Sequence, residues 1–215
     1  MVLRVDHFMY AVPSLDEGIE WAGDTFGIAP AYGGEHIGMG TRNALLSLDE
    51  AYLEIIAPDP AQPHEGTLAE RFATLSCGGL VTWAAEGDLA RTAASLSSCG
   101  VTTVGPHRTQ RKTTEGELLV WELLFPSGSP HGSRMPFFID WLECTNPRLT
   151  NPAGGQFQSL SITTPNAADL HRTLAAIALE VPVLEGEPAL AVSITARGGD
   201  VLLNSTDETS DLTMR

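Results

Sequence analysis

The pattern of apolar and polar residues predicts three successive segments with the same order of elements. Each begins with a strand, continues with an amphipathic helix and ends with three short strands. Ser14, Asp88 and Asn166 mark the predicted helix starts, and residues of these types are common there because their side chains can cap a first helical turn. These starts lie 74 and 78 residues apart. Such a near-regular repeat of a β-α-β-β-β unit is itself an indication of the fold.

The first segment is expected to contain a strand over residues 3–12, a helix from Ser14 to Gly27, and strands near residues 29–33, 42–48 and 51–57. The second is expected to contain a strand over residues 78–85, a helix over 88–100, and strands near 101–105, 118–125 and 137–142. The third is expected to contain a strand over residues 157–164, a helix from Asn166, and strands near 181–184, 189–196 and 200–203.

These elements predict an α+β fold, because a lone unit cannot cover its own sheet. Residues 1–58 (unit one) and 77–145 (unit two) are expected to pair into one domain, residues 1–145, with a curved mixed sheet around a central cup. Residues 59–76 connect them and contain a short helix, and residues 156–204 form a third βαβββ-like unit. That unit packs on the outside or pairs with its copy in a second subunit. A homodimer is the simpler prediction. The tail, residues 205–215, is expected to be frayed.

Composition narrows the classes of function. The chain is 43% hydrophobic and carries a net charge of −15, which argues for a globular protein that does not bind nucleic acid. Its three cysteines form no Cys-x-x-Cys pair. No apolar run approaches a membrane span, and no signal peptide is recognised at the N-terminus. We therefore expect a cytoplasmic protein without a membrane partner.

Two polar residues stand where buried strands should be apolar. His7 lies between Val5 and Met9 on one strand face, and Glu54 lies among the apolar residues of the fourth strand. Burying a carboxylate is costly unless a hydrogen bond, a cation or a metal compensates it. The pair therefore predicts a functional pocket. The alternative is that the two side chains only satisfy each other. Asp6 is expected on the opposite face, in solvent.

Longer motifs resemble the vicinal-oxygen-chelate superfamily, and within it the glyoxalase-like domain proteins. The similar stretches are residues 5–12 (VDHFMYAV), 33–45 (GGEHIGMGTRNAL), 52–56 (YLEII) and 136–141 (PFFIDW). The resemblance covers residues 3–145 well, and 156–203 only as a repeated pattern. It implies paired βαβββ units around a cup that holds one divalent metal.

In that superfamily a first-strand histidine and a fourth-strand glutamate of each unit bind the metal. His7 and Glu54 match the pair of unit one, and His36 is the nearest further candidate ligand. Unit two has no matching histidine, and Asp140 is its one candidate for the glutamate. Zn, Mn, Fe, Co and Ni all suit such ligands. No nucleotide cofactor is expected, because the glycine-rich residues 33–40 lack dinucleotide spacing.

Candidate substrate-binding residues are Arg42 and Asn43 after the glycine-rich loop, together with the strand tryptophans Trp83, Trp121 and Trp141. Tryptophans at such positions are either core residues or an aromatic wall of the cup. Arg108, Arg111 and Lys112 are expected on a solvated hairpin or in salt bridges.

Two functions remain open. In the first, the protein is an enzyme that binds a small oxygen-rich metabolite, with metal-assisted isomerase, lyase or dioxygenase-type chemistry and Glu54 as general base. In the second, it binds or sequesters a small molecule without turnover.

Overall fold

The computed structural model describes residues 3–112, 116, 118–210 and 212, apart from the side chain of Lys112. Within these residues there are twelve strands and four α-helices, and the α+β prediction is confirmed. Every predicted strand has a counterpart. The largest difference is the strand predicted near residues 101–105, which extends over Thr102–Lys112. The prediction for the Lys112 side chain lies outside the described residues.

Unit one has the elements that its pattern predicts: β1 (Arg4–Ala11), α1 (Leu15–Phe26), β2 (Ala31–His36), β3 (Thr41–Ser47) and β4 (Tyr52–Pro58). Ser14 caps α1 by accepting a hydrogen bond from the Glu17 amide. Gly27 ends the helix at φ 74°, where glycine carries no steric penalty. The strand β1 pairs with β4 in parallel and places His7 opposite Tyr52.

The connector between the units contains the short helix α2 (Leu68–Phe72). Unit two then repeats the order with β5 (Gly79–Glu86), α3 (Leu89–Ser98), β6 (Thr102–Lys112), β7 (Leu118–Ser127) and β8 (Phe137–Asp140). The two units join where β1 and β5 pair in antiparallel orientation, which gives one sheet of order β2-β3-β4-β1-β5-β8-β7-β6. The outer strands β2 and β6 also approach each other. The sheet therefore curls around an interior.

The third segment has the predicted order of elements but a different sheet topology. It comprises β9 (Gly155–Thr164), α4 (Ala167–Ala176), β10 (Val183–Glu185), β11 (Ala189–Ala196) and β12 (Gly199–Asn204). Its first strand lies between the second and the third, so the sheet order is β10-β9-β11-β12. In unit one, by contrast, the first strand pairs with the fourth. The third unit thus has the same order of elements along the chain as units one and two, but a different order of strands within its sheet.

Two apolar clusters lie on opposite faces of the curled sheet. The inner cluster includes Met9, Trp121 and Trp141, while the outer one includes Phe8 and Trp83. The outer cluster continues into the third unit, where Phe157 packs on Phe8 with ring centroids 5.0 Å apart. The third unit therefore finds its partner within the chain, on the outside of the sheet. This removes the reason from which a dimer was predicted.

The tail is ordered as far as it is described, against the expectation of fraying. Thr209 is fully buried, and Leu212 is 1% exposed within the inner cluster. Glu208 accepts hydrogen bonds from the amide and hydroxyl of Ser76, at 2.8 and 2.9 Å. The tail thus runs back over the connector. No helix in the described part of the chain is long and apolar enough to cross a membrane.

Candidate functional site

A cavity of about 720 Å³ occupies the interior of the curled sheet. This volume is in the usual range for small-molecule sites. Unit one supplies a polar wall, made of His7, His36, Thr41, Asn43 and Glu54. Unit two supplies an apolar and largely aromatic wall, made of Trp121, Leu123, Phe125, Phe137, Ile139 and Trp141. The cavity therefore offers one face to polar groups and one to an apolar body.

Glu54 lies at the centre of the polar wall and is only 6% exposed. Its Oε1 accepts a hydrogen bond of 2.7 Å from Nδ2 of Asn43. Two histidines approach the same carboxylate, with Nε2 of His7 at 3.4 Å from Oε2 and Nε2 of His36 at 3.6 Å from Oε1. The structure thus brings together the residues that the sequence singled out on β1, β2, β3 and β4.

The partners of His36 assign its protonation. Asn43 Nδ2 lies 3.3 Å from His36 Nε2 and can only donate, so this nitrogen is the acceptor. The other nitrogen, Nδ1, then donates to the hydroxyl of Thr41 at 2.9 Å. Burial lowers the pKa of His36, although the charge of Glu54 opposes the change. His36 is therefore a neutral ring whose lone pair faces Glu54.

His7 is held from behind by Asp6, which accepts a hydrogen bond of 2.7 Å from Nδ1. Burial raises the pKa of Asp6, but the hydrogen bond and charge of His7, together with hydrogen bonds from Asn146 and Trp141, outweigh burial and leave this pKa below its ordinary value. Tyr52 stacks on the His7 ring at 4.6 Å. Burial, followed by the charges of Asp6 and Glu54, holds the pKa of Tyr52 well above its ordinary value. Tyr52 is therefore a neutral phenol.

The expectation that Asp6 is solvated is wrong. Its side chain is 1% exposed, and it accepts hydrogen bonds from His7, Trp141 and Asn146. The register of β1 against β5 shifts between Val5 and His7. Such an irregularity breaks strict alternation, and the polar residue remains inside.

Arg111 was expected on a solvated hairpin, but it lines the cavity from β6. Burial lowers its pKa, while the charge of Glu54 opposes the change. No carboxylate among the described residues forms a salt bridge with it. Gly34 on β2 leaves room for this side chain, since a Cβ there would lie 3.1 Å from Nη1 of Arg111. Arg108, by contrast, is exposed.

Two predicted substrate-binding residues do not face the cavity. Arg42 precedes Asn43 on β3, so alternation turns it outwards, and its guanidinium lies 3.8 Å from Asp16. Trp83 is fully buried in the outer cluster, where its Nε1 donates to the carbonyl of Arg134 at 3.0 Å. Asn43, Trp121 and Trp141 do line the cavity. Sequence reasoning gave Arg111 and Tyr52 no role at the site; alternation along β4 puts Tyr52 on the face of Glu54, whereas Arg111 reaches the cavity through the register of β6.

A bound metal was expected at His7, His36 and Glu54. Two imidazole nitrogens and a carboxylate are suitable donors by type. The described residues include no group of three or more His, Cys, Asp or Glu side chains recognised as a metal site. Unit two adds no ligand, because Phe137 and Ile139 of β8 face the cavity while Asp140 accepts from the amide of Leu142. The metal site stays a prediction, and no step is derived through a metal.

A protein family and several solved structures are similar to this chain. A model of a glyoxalase-like domain matches residues 5–178. The structure of a hypothetical protein from Staphylococcus aureus matches with a TM-score of 0.65 at 21% identity, over 95% of this chain and 85% of that one. Methylmalonyl-CoA epimerase from Mycobacterium tuberculosis matches with a TM-score of 0.49 at 25% identity, over 64% of this chain and 87% of that one. The search of curated proteins finds no match.

Proposed function

The chain belongs to the glyoxalase-like domain family of the vicinal-oxygen-chelate superfamily, and from this premise we propose that it binds a small organic anion and moves a proton on it. One observation carries the proposal. The Nε2 atoms of two histidines converge on a carboxylate in a cavity that also holds a half-buried arginine. Such a cluster of titratable groups in a cavity is typical of sites that move a proton.

Charge selects the class of ligand. The protein carries a net charge of −15, yet the Asp, Glu, Lys and Arg side chains along the cavity are Glu54, Arg71 and Arg111. The cavity is thus more positive than the molecule as a whole. A guanidinium binds carboxylates through two parallel hydrogen bonds. The aromatic wall suits an apolar or aromatic body, and an amphiphilic carboxylate fits both halves.

The proposed reaction is proton transfer at a carbon next to a carbonyl. Glu54 takes the proton, the C–H electron pair moves towards the carbonyl oxygen, and the positive charge of Arg111 stabilises the enolate that forms. Returning the proton to a different carbon gives an isomerisation. Asn43 holds the carboxylate of Glu54 by its hydrogen bond, and His7 and His36 flank it.

Hydrogen–deuterium exchange tests this proposal directly. A panel of 2-oxo acids and aryl-substituted carboxylates is incubated with the protein in D₂O, and exchange at the C–H next to the carbonyl group is followed by NMR. We expect exchange with the wild type and a loss of about 10²–10⁴-fold in Glu54→Gln, the usual contribution of a general base. Wild-type rates in Glu54→Gln would contradict the proposal. Chelator treatment before the assay is expected to leave the rate unchanged, and metal analysis of the same sample checks this.

Ligand binding tests the role of Arg111 separately. Arg111→Gln is expected to weaken binding of the best panel anion by about 1.5–3 kcal/mol, the range for a hydrogen bond to a charged group. Arg108→Gln on the same strand removes an exposed arginine and serves as the matched control. Calorimetric titration should then show a loss in the first variant and none in the second. Equal losses would indicate a general charge effect.

A second candidate is sequestration without turnover. The continuous aromatic wall, with no acid or base from unit two, favours it. Tight binding of a panel anion together with no exchange in the wild type would select this function.

A further inference from the structure

Asp6 is a buried carboxylate that faces away from the cavity, behind His7. Its Oδ2 accepts from His7 Nδ1, while its Oδ1 accepts from Trp141 Nε1 at 3.2 Å and from Asn146 Nδ2 at 2.6 Å. All three neighbours are therefore donors, and both oxygens are engaged.

The two donors on Oδ1 come from the end of unit two and from the residues directly after it, and unit two supplies no carboxylate or histidine to the cavity. Neither Trp141 nor Asn146 can turn a hydrogen-bond acceptor towards Asp6 in place of its donor. The indole of Trp141 has only an N–H, and the Asn146 amide is held by its own oxygen, which accepts from the Arg148 amide at 3.0 Å. Asn146 Nδ2 also lies 3.1 Å from Oε2 of Glu86. Unit two thus contributes to the site through hydrogen bonds to Asp6.

We propose that Asp6 is a positioning residue that keeps the proton of His7 on Nδ1, and that Trp141 and Asn146 fix its carboxylate for this task. The consequence is that His7 presents Nε2 to Glu54 and the cavity, at 3.4 Å from Oε2. The proposal gives His7 a role at the proposed site and rests on that function only for its catalytic meaning. The protonation of the ring follows from the hydrogen bonds alone.

The substitution Asp6→Asn makes a sharp prediction because of these fixed donors. The new amide must turn its oxygen towards Trp141 and Asn146, since two donors cannot face an NH₂ group. Its NH₂ then faces Nδ1 of His7, which becomes the acceptor, and the ring proton moves to Nε2. The same substitution behind the catalytic histidine of serine proteases leaves the geometry intact and traps the wrong tautomer.

Nitrogen-15 NMR of histidine-labelled protein at neutral pH tests this without any ligand. The His7 signals are assigned by their loss in His7→Gln. In the wild type we expect Nδ1 to be protonated, and in Asp6→Asn we expect a neutral ring protonated on Nε2. A wild-type ring that is neutral and protonated on Nε2 would overturn the proposal, and this result needs no variant to fold.

Asp169→Asn is the matched control, because Asp169 accepts from another buried histidine, His131, at 3.0 Å. It should change the signals of His131 and leave those of His7 unchanged. Unchanged His7 signals in folded Asp6→Asn would also overturn the proposal. If the proposed exchange reaction exists, Asp6→Asn should lower its kcat by roughly 10²–10⁴-fold. A protonated Nδ1 without any exchange or binding would refute the proposed function and leave the positioning role intact.

Discussion

Single residues reach the cavity or miss it according to the face of the strand that they occupy. Arg42 and Asn43 are neighbours on β3, yet only Asn43 meets Glu54. Asp6 and His7 are neighbours on β1, yet both are buried, because the β1–β5 register shifts between Val5 and His7. Alternation along the strand therefore predicts correctly which of Arg42 and Asn43 faces the cavity. It predicts the wrong environment for Asp6, because the pairing of β1 with β5 is irregular there.

Trp83 offers a test at this scale, since its ring packs in the outer cluster and its Nε1 bonds to a carbonyl. Trp83→Phe keeps an aromatic ring and removes the donor. We expect the free energy of unfolding to fall by about 1–3 kcal/mol, the cost of losing one partner of a buried hydrogen bond. Urea titration measures this. Affinity for a cavity ligand should stay unchanged, and a weaker affinity with unchanged stability would contradict the placement.

At the scale of elements, local signals determined the helices well. Ser14 and Gly27 bound α1 as their capping preferences predict. The tail is the opposite case. Its polar composition suggested fraying, but Leu212 lies in the inner cluster among residues far away in sequence. A short segment with one buried apolar residue carries no periodic signal, so its packing could not be predicted from the sequence.

Leu212→Ala tests whether the tail contributes to stability. A buried leucine truncated to alanine costs about 2–5 kcal/mol, depending on how far the neighbours relax. We expect the lower part of that range, because the tail is a terminal segment. Leu202→Ala is the control, since Leu202 is 63% exposed on β12, and its effect should stay within about 0.5 kcal/mol. Thermal or urea unfolding of both variants compares them, and equal effects would show that the tail does not pack as described.

At the scale of the whole molecule, the third unit covers the outer face of the large sheet. The outer cluster runs without interruption from Phe8 and Trp83 to Leu160 and Ile162 of β9. One continuous core favours a single cooperative transition. The order of elements along the chain was enough to predict a third βαβββ-like unit. The strand order of its sheet and the surface on which it packs could not be predicted, because both depend on contacts between segments that are distant in sequence.

Removing residues 155–215 should expose this outer face. We expect the truncated chain to aggregate or to bind a hydrophobic dye strongly, whereas the full chain melts in one calorimetric transition. A truncated protein that stays monodisperse and melts as cooperatively as the full chain would contradict this role. The homodimer stays a prediction, and sedimentation of the full chain measures it independently.

By itself, the sequence determined the α+β class, the family, the three repeated units and the importance of His7 and Glu54. These follow from periodicity, capping residues and the cost of burying charge, which act over a few neighbouring residues. Only the tertiary structure decided that Asp6 lies behind His7, that Arg111 lines the cavity while Trp83 packs outside it, and that Thr209 and Leu212 of the tail are buried. Each of these depends on the register of strands that are distant in sequence, because a single-residue shift moves a side chain to the other face of the sheet.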